Sequence, residues 1–197
     1  MLSKTHQAFG LSAVAYVLVN YTHTPILSVA GIGALAVSLA TSIIPDCDLA
    51  GSMPSKAFFP YTWVLEVLRL DDHRGFTHSI LAAAPWWVLA YFSQPWRVTI
   101  GPIHFSFFPI VVGAAVGYSS HIVIDLLNKK GEQLFFPLKP RFALHFCSAE
   151  GFWNRAFEYL SLIAFFGLAL WSIGLTFPPA HGVFVALMNL SHTALKH

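Results

Sequence analysis

The chain is organised around the stretch DHRGFTHS, residues Asp72 to Ser79. It places two histidines, His73 and His78, and Arg74 in a polar segment directly before a long apolar run. Imidazole nitrogens bind transition metals, and a guanidinium group can hold a phosphate by a bidentate contact. We therefore interpret this stretch as half of a metal site at the start of a helix, and the other half has to come from elsewhere in the chain.

Composition indicates a membrane protein. Of the 197 residues, 56% are hydrophobic and 10% are charged, against roughly 25% charged residues in a soluble domain. The net charge of +2 is too small to indicate a nucleic-acid partner. The two cysteines, Cys47 and Cys147, are far apart in the sequence and form no zinc-type pair. The chain is predicted to be one membrane-embedded domain, residues 1–197, in contact with the lipid bilayer.

Hydropathy predicts an all-α, polytopic helix bundle with about five spans. The predicted spans are residues 7–21, 24–44, 76–92, 107–127 and 155–177. The remaining segments are predicted to be a surface helix at 58–70, a turn-rich loop at 93–106, a polar loop at 128–154, and an interfacial or short sixth helix at 182–195. The second span is rich in Gly, Ala and Ser, which favours close packing between helices.

The polar residues of the bundle fall at helix ends that share one membrane face. Successive spans alternate in direction, so the starts of the first and third spans lie on the same side as the ends of the second and fourth. These ends carry the candidate metal ligands His6, Asp46, Asp48, His73, His78, His121 and Asp125. Most Lys and Arg residues also fall on this face, and the positive-inside rule therefore predicts that it is cytoplasmic.

This ligand set predicts a two-ion site. His121 and Asp125 are four residues apart, so they share one face of a helix and can bind one ion. The candidates outnumber the ligands of a single tetrahedral ion; zinc is the first expectation, with manganese or iron as alternatives. Two ions would activate water and stabilise a displaced oxygen, as phosphoester hydrolysis requires. We predict catalytic roles for Asp46, His73, Arg74 and His78.

Each candidate also has a simpler interpretation. A histidine at a membrane interface, such as His6, is usually only an interfacial residue, and an Asp-x-Asp after a helix is often a solvated turn. Asp125 is different, because burying an aspartate near lipid costs about 3 kcal/mol on insertion scales and so implies a partner. Glu150 and Glu158 are weaker candidates for a further ligand or a general base.

The combined motifs resemble the YdjM-type family. They are Ile44-Pro45-Asp46-x-Asp48, His73-Arg74-Gly75-x-Thr77-His78-Ser79, Gly117-Tyr118-x-Ser120-His121-x3-Asp125, then Gly131 and Pro137. These are bacterial and archaeal inner-membrane proteins, one of them LexA-regulated, to which a metal-dependent hydrolase activity is ascribed. The family is distantly similar to zinc phospholipase C and S1/P1 nuclease, which implies a related helical core. Those enzymes are soluble and usually have Glu where this chain has Asp125, and their amino-terminal ligand has His6 as its nearest analogue.

The sequence therefore predicts a membrane-embedded, metal-dependent phosphoester hydrolase with its site at the cytoplasmic face. That location favours a lipid-linked substrate such as a phospholipid or a polyprenyl phosphate. The alternative is a non-catalytic membrane protein, either a metal-binding regulator or a transporter. A transporter needs polar groups across the bilayer, and the central parts of most spans lack ionisable residues.

Overall fold

The helices of the computed structural model begin and end close to the predicted spans. The structure describes residues 2–146 and 151–176, so the tail predicted at 182–195, Cys147 and Glu150 lie outside the described residues. Within the described part there are seven α-helices: α1 (Ser3–Asn20), α2 (Val29–Thr41), α3 (Met53–Ala57), α4 (Phe59–Val67), α5 (Ile80–Phe92), α6 (Phe108–Asp125) and α7 (Phe152–Thr176). There are also two 3-10 turns: Ile44–Asp48 follows α2, and Phe76–His78 precedes α5.

Three helical segments are long and apolar enough to cross a membrane. Among the described residues these are Val29–Asp48, Phe108–Asp125 and Phe152–Gly174. Helix α5 is apolar but has only 13 residues, a length that needs local thinning of the bilayer. Helix α1 is not among these candidate spans. Its polar residues Lys4, Gln7 and Asn20 lower its hydropathy, so the prediction of five spans is supported for three of them.

The loop predicted at residues 93–106 contains a β-hairpin. Its strands are β1 (Arg97–Ile100) and β2 (Ile103–Ser106), which pair antiparallel. The strict all-α prediction is therefore wrong at this position, although the chain is mostly helical. The β-branched residues of β1 favour an extended backbone, and Gly101, with a φ of +58°, turns the chain between the strands.

Helix α6 lies at the centre of the bundle. It contacts α1, α2 and α5, while α7 packs along α1. The close approach of α2 and α6 depends on two glycines. A Cβ atom on Gly113 would lie 2.6 Å from the Ala34 carbonyl oxygen, and one on Gly117 would lie 2.9 Å from Ser38 Cα. Small residues of this kind let helix backbones approach in membranes, and here they bring the end of α6 beside the end of α2.

Candidate metal centre

The helix ends bring three predicted ligand atoms to one point. His78 Nε2 lies 3.1 Å from His121 Nε2. Asp46 Oδ1 lies 3.8 Å from His78 Nε2 and 3.6 Å from His121 Nε2. Atoms bound about 2.0–2.1 Å from one tetrahedral ion lie roughly 3.3–3.4 Å apart. The three atoms, drawn from the turn after α2, the turn before α5 and the end of α6, therefore match the ligand sphere of one metal ion.

The hydrogen bonds of both imidazoles leave their Nε2 atoms bare. His121 Nδ1 lies 2.7 Å from the Ser42 carbonyl oxygen. His78 Nδ1 lies 3.0 Å from the Thr77 hydroxyl oxygen and 3.2 Å from Asp48 Oδ2. A carbonyl or carboxylate oxygen only accepts, and the Thr77 hydroxyl donates its hydrogen to Asp48, so both Nδ1 atoms carry the hydrogen. In the neutral rings two Nε2 lone pairs face each other, which is repulsive unless a cation lies between them. A donating Nδ1 and a bare Nε2 are typical of metal-bound histidine, so these residues fit a divalent ion.

Asp48 and His73 lie behind these ligand atoms. Asp48 Oδ1 lies 2.8 Å from His73 Nδ1. Asp48 Oδ2 accepts from the Arg74 backbone N–H at 3.1 Å and from the Thr77 hydroxyl. The carboxylate therefore holds the DHRGFTHS stretch in place, and the His73 ring beside it is 33% exposed. Their predicted roles as metal ligands stay predictions.

Asp125 connects three other predicted residues. Its Oδ1 lies 3.4 Å from His6 Nε2, and its Oδ2 lies 2.8 Å from Arg74 Nη2 and 3.9 Å from His121 Nε2. The His6 ring stacks on that of His121, with centroids 3.7 Å apart and planes 10° apart. Arg74 is buried, and its Nε and Nη1 atoms have no hydrogen-bond partner among the described residues.

Glu132 is a site residue that the sequence prediction missed. It lies in the loop of residues 126–146, which joins α6 to the segment before α7. It is fully buried, and its Oε1 lies 4.0 Å from His78 Nε2. Burial, and to a lesser extent the nearby Asp125 charge, raise the pKa of Glu132 to about 9. The loop has no hydrophobic period, and Glu132 follows two lysines and a glycine, as in a solvated turn. Its one signal was its place next to Gly131 of the family motif.

Six residues supply three overlapping sets of potential ligands, which together form the candidate metal centre. Within each set the ligand atoms lie within 4.8 Å of one another; the sets are His6 with His121 and Asp125, Asp46 with His78 and His121, and His78 with Asp125 and Glu132. Two other histidines lie away from these sets. His104 contacts Thr99 in the hairpin, and His145 is exposed. Glu158 is half-buried on α7 and belongs to none of the three sets.

The similarity to known proteins extends over every residue of the cluster. The family model described as "YdjM inner membrane protein" matches residues 1–190. Similar proteins include "Inner membrane protein YdjM" of Escherichia coli (strain K12) and of Shigella flexneri. Each is 28% identical over 148 residues, which cover 73% of this chain and 69% of the relative. No solved structure gives a significant match, so the core related to zinc phospholipase C and S1/P1 nuclease stays a prediction.

Proposed function

The chain belongs to the YdjM inner membrane protein family, and we propose that it is a membrane-embedded, metal-dependent hydrolase of phosphoesters. The observation that carries the proposal is the convergence of His78 Nε2, His121 Nε2 and Asp46 Oδ1 at separations of 3.1, 3.6 and 3.8 Å. Both imidazoles are oriented by a buried acceptor on the opposite nitrogen. Such pre-orientation raises metal affinity.

The stacked rings support two ions. A ring nitrogen binds a metal along its lone pair, in the plane of the ring. His6 and His121 are nearly parallel and 3.7 Å apart, so in this arrangement their lone pairs do not meet at one ion. Asp125 has Oδ1 3.4 Å from His6 Nε2 and Oδ2 3.9 Å from His121 Nε2. These residues would hold two divalent ions, one with His6 among its ligands and one with His121. Zinc suits this donor set best, with manganese or iron as alternatives.

The residues around the ligand atoms supply the rest of the proposed mechanism. Divalent ions bound here would activate water for attack on phosphorus. Arg74 has buried nitrogen donors beside the cluster, which would bind the phosphate oxygens. Asp46 has a 14% exposed side chain, so it would orient the incoming water and accept its proton. His73, held at Nδ1 by Asp48, would donate a proton to the leaving oxygen.

An apolar crevice beside the cluster supports a lipid-linked substrate. It has a volume of about 500 Å³ and lies between α5 and α6. Its lining residues Ile80, Leu126 and Leu134 each follow a residue of the metal centre by one or two positions. From there it extends along α5 to Trp87, which donates to Ser119 Oγ at 3.0 Å. A phosphate at the cluster would thus have a hydrocarbon chain alongside it within the bilayer, as a phospholipid or polyprenyl phosphate has.

The predicted inner-membrane location is confirmed by the family match and by three candidate spans. We further propose that the metal centre faces the cytoplasm. Arg97 lies in the hairpin at the opposite ends of α5 and α6. Lys4, Lys56 and Lys129 lie towards the end that carries the cluster, and this asymmetry follows the positive-inside rule.

Metal analysis and hydrolysis assays on the detergent-purified protein test the proposal. We expect about two transition-metal ions per chain, together with turnover of a generic phosphodiester or phosphomonoester. Asp46→Asn should abolish turnover. The matched control is Asp72→Asn, because the Asp72 side chain is 73% exposed and should leave turnover unchanged. A wild-type protein without stoichiometric metal would rule the function out. Stoichiometric metal without turnover of any phosphoester would favour the non-catalytic regulator.

A further inference from the structure

Glu132 is the carboxylate that neither the sequence prediction nor the proposed mechanism uses. Its side chain is fully buried, and both of its oxygens lack a hydrogen-bond partner among the described residues. A buried carboxylate without partners costs several kcal/mol, about what is lost when a buried ion pair is broken. A position this costly needs either a bound proton or a cation that the side chain can bind.

The fold fixes Glu132 at this position through its backbone. Glu132 and Phe142 exchange two backbone hydrogen bonds of 2.9 and 2.8 Å. Gln133 donates to the Arg74 carbonyl oxygen at 2.9 Å, and Leu134 accepts from the Ile80 backbone N–H at 3.0 Å. The two residues after Glu132 are therefore joined to the DHRGFTHS stretch and to the residue that follows it. The carboxylate points into the cluster because this register places it there.

The charges around Glu132 are predominantly negative. Asp46, Asp48, Asp125 and Glu132 bring four carboxylates to the cluster. Among the described residues, Arg74 is the buried Lys or Arg side chain that offsets them, and it is paired with Asp125. With neutral imidazoles and ionised carboxylates, negative charge predominates among the side chains of the cluster, and divalent cations would offset this excess.

We propose that Glu132 is a metal ligand that the 126–146 loop supplies to the centre, together with His78 and Asp125. The three ligand atoms lie within 4.8 Å of one another, and Glu132 Oε1 lies 4.0 Å from His78 Nε2, so the carboxylate is within reach of an ion that His78 would hold. This inference rests on the metal centre of the proposed function. It further implies that metal binding fixes the loop over the site.

Two substitutions separate a ligand from a buried neutral acid. Glutamine has the shape and donor of a protonated glutamate, whereas aspartate keeps the charge with one methylene fewer. A metal ligand should therefore tolerate Glu132→Asp better than Glu132→Gln, and a neutral acid should show the reverse order. Glu66→Gln is the control, because Glu66 is an exposed carboxylate on α4.

The measurement is Zn²⁺ binding to chelator-stripped, detergent-purified full-length protein, by calorimetry and by metal analysis after desalting. We expect Glu132→Gln to lose one ion or to bind Zn²⁺ at least about tenfold more weakly. Glu132→Asp should fall between this variant and the wild type, and Glu66→Gln should match the wild type. Hydrogen exchange of residues 126–146 should slow when Zn²⁺ binds to the wild type and should slow less in Glu132→Gln.

The outcomes distinguish this proposal from the one on which it rests. If the wild-type protein binds no Zn²⁺, both proposals are overturned. If the wild type binds metal and Glu132→Gln binds it with the same stoichiometry and affinity, only the role of Glu132 is overturned. If Glu132→Gln does not stay folded after its metal is removed, the measurement that tests the proposal is the Zn²⁺-induced rise in the unfolding temperature of Glu132→Asp. A rise smaller than that of the wild type supports the proposal, and an equal rise overturns it.

Discussion

The two ends of the helix bundle differ in the kind of side chain that they bury. At the end away from the metal centre, α1, α2, α5 and α6 close around a core of Val14, Leu18, Ile26, Val111 and neighbouring small apolar residues. At the other end the same helices enclose His6, His121 and Asp125, all almost fully buried. Apolar side chains pack without specific partners, whereas buried charges are stable only when they are paired. The apolar end therefore stabilises the bundle, whereas the buried charged groups at the cluster end lower its free energy of unfolding.

This contrast suggests a division between the two ends, in which one determines stability and the other determines metal binding. Substitutions in the apolar core should lower the stability of the bundle and leave metal binding intact. Substitutions in the cluster should change metal binding first, and their effect on stability should depend on whether metal is present. Each substitution below tests this division.

Asp125→Asn should have the largest effect. Asp125 belongs to two of the three ligand sets and pairs with Arg74 at 2.8 Å. Removing one partner of a buried ion pair costs about 3–5 kcal/mol, and we expect at least a hundredfold loss of Zn²⁺ affinity. Metal analysis and thermal unfolding with and without Zn²⁺ measure both effects. Zn²⁺ that stabilises this variant as much as the wild type would contradict the assignment.

Leu18→Ala should have the next largest effect, and only on stability. Leu18 is fully buried in the apolar core at the far end. Truncating a buried leucine costs about 2–5 kcal/mol, so the unfolding temperature should drop. Zn²⁺ stoichiometry should remain that of the wild type. Loss of metal in this variant would show that the two ends are not independent.

The sequence allowed the cluster to be predicted better than the exact fold. Helix ends are marked by Pro45, Ser79 and the last polar residues of α6, so the alternation of spans was enough to bring His6, Asp46, His78 and His121 together. The hairpin at 97–106 was missed because its few residues contain no long alternation. Glu132 was missed because its position is set by backbone hydrogen bonds from Glu132 to Phe142 and from Gln133 to Arg74, which local sequence does not encode.

Asp48→Asn should have a smaller effect, confined to the cluster end. Asp48 orients His78 and holds the DHRGFTHS stretch through Arg74 and Thr77. Partners of this kind, one shell behind the ligands, change metal affinity by about 10- to 100-fold. Calorimetry with Zn²⁺ on Asp48→Asn, with the exposed Asp72→Asn as control, measures it. Complete loss of both ions would instead indicate that Asp48 binds metal directly, as the sequence first predicted.

Tyr118→Phe should have the smallest effect and the sharpest diagnostic value. Its buried hydroxyl donates to the Thr77 carbonyl oxygen, one residue before His78. Losing a neutral hydrogen bond of this kind costs about 0.5–1.5 kcal/mol. Because the bond positions the turn that carries His78, Zn²⁺ affinity should fall a few-fold with unchanged stoichiometry, and the exposed Tyr91→Phe should change neither quantity. Lower stability of Tyr118→Phe with no change in Zn²⁺ affinity would contradict this expectation. It would show that the turn before His78 contributes to the stability of the bundle, like the apolar core, and not to metal binding.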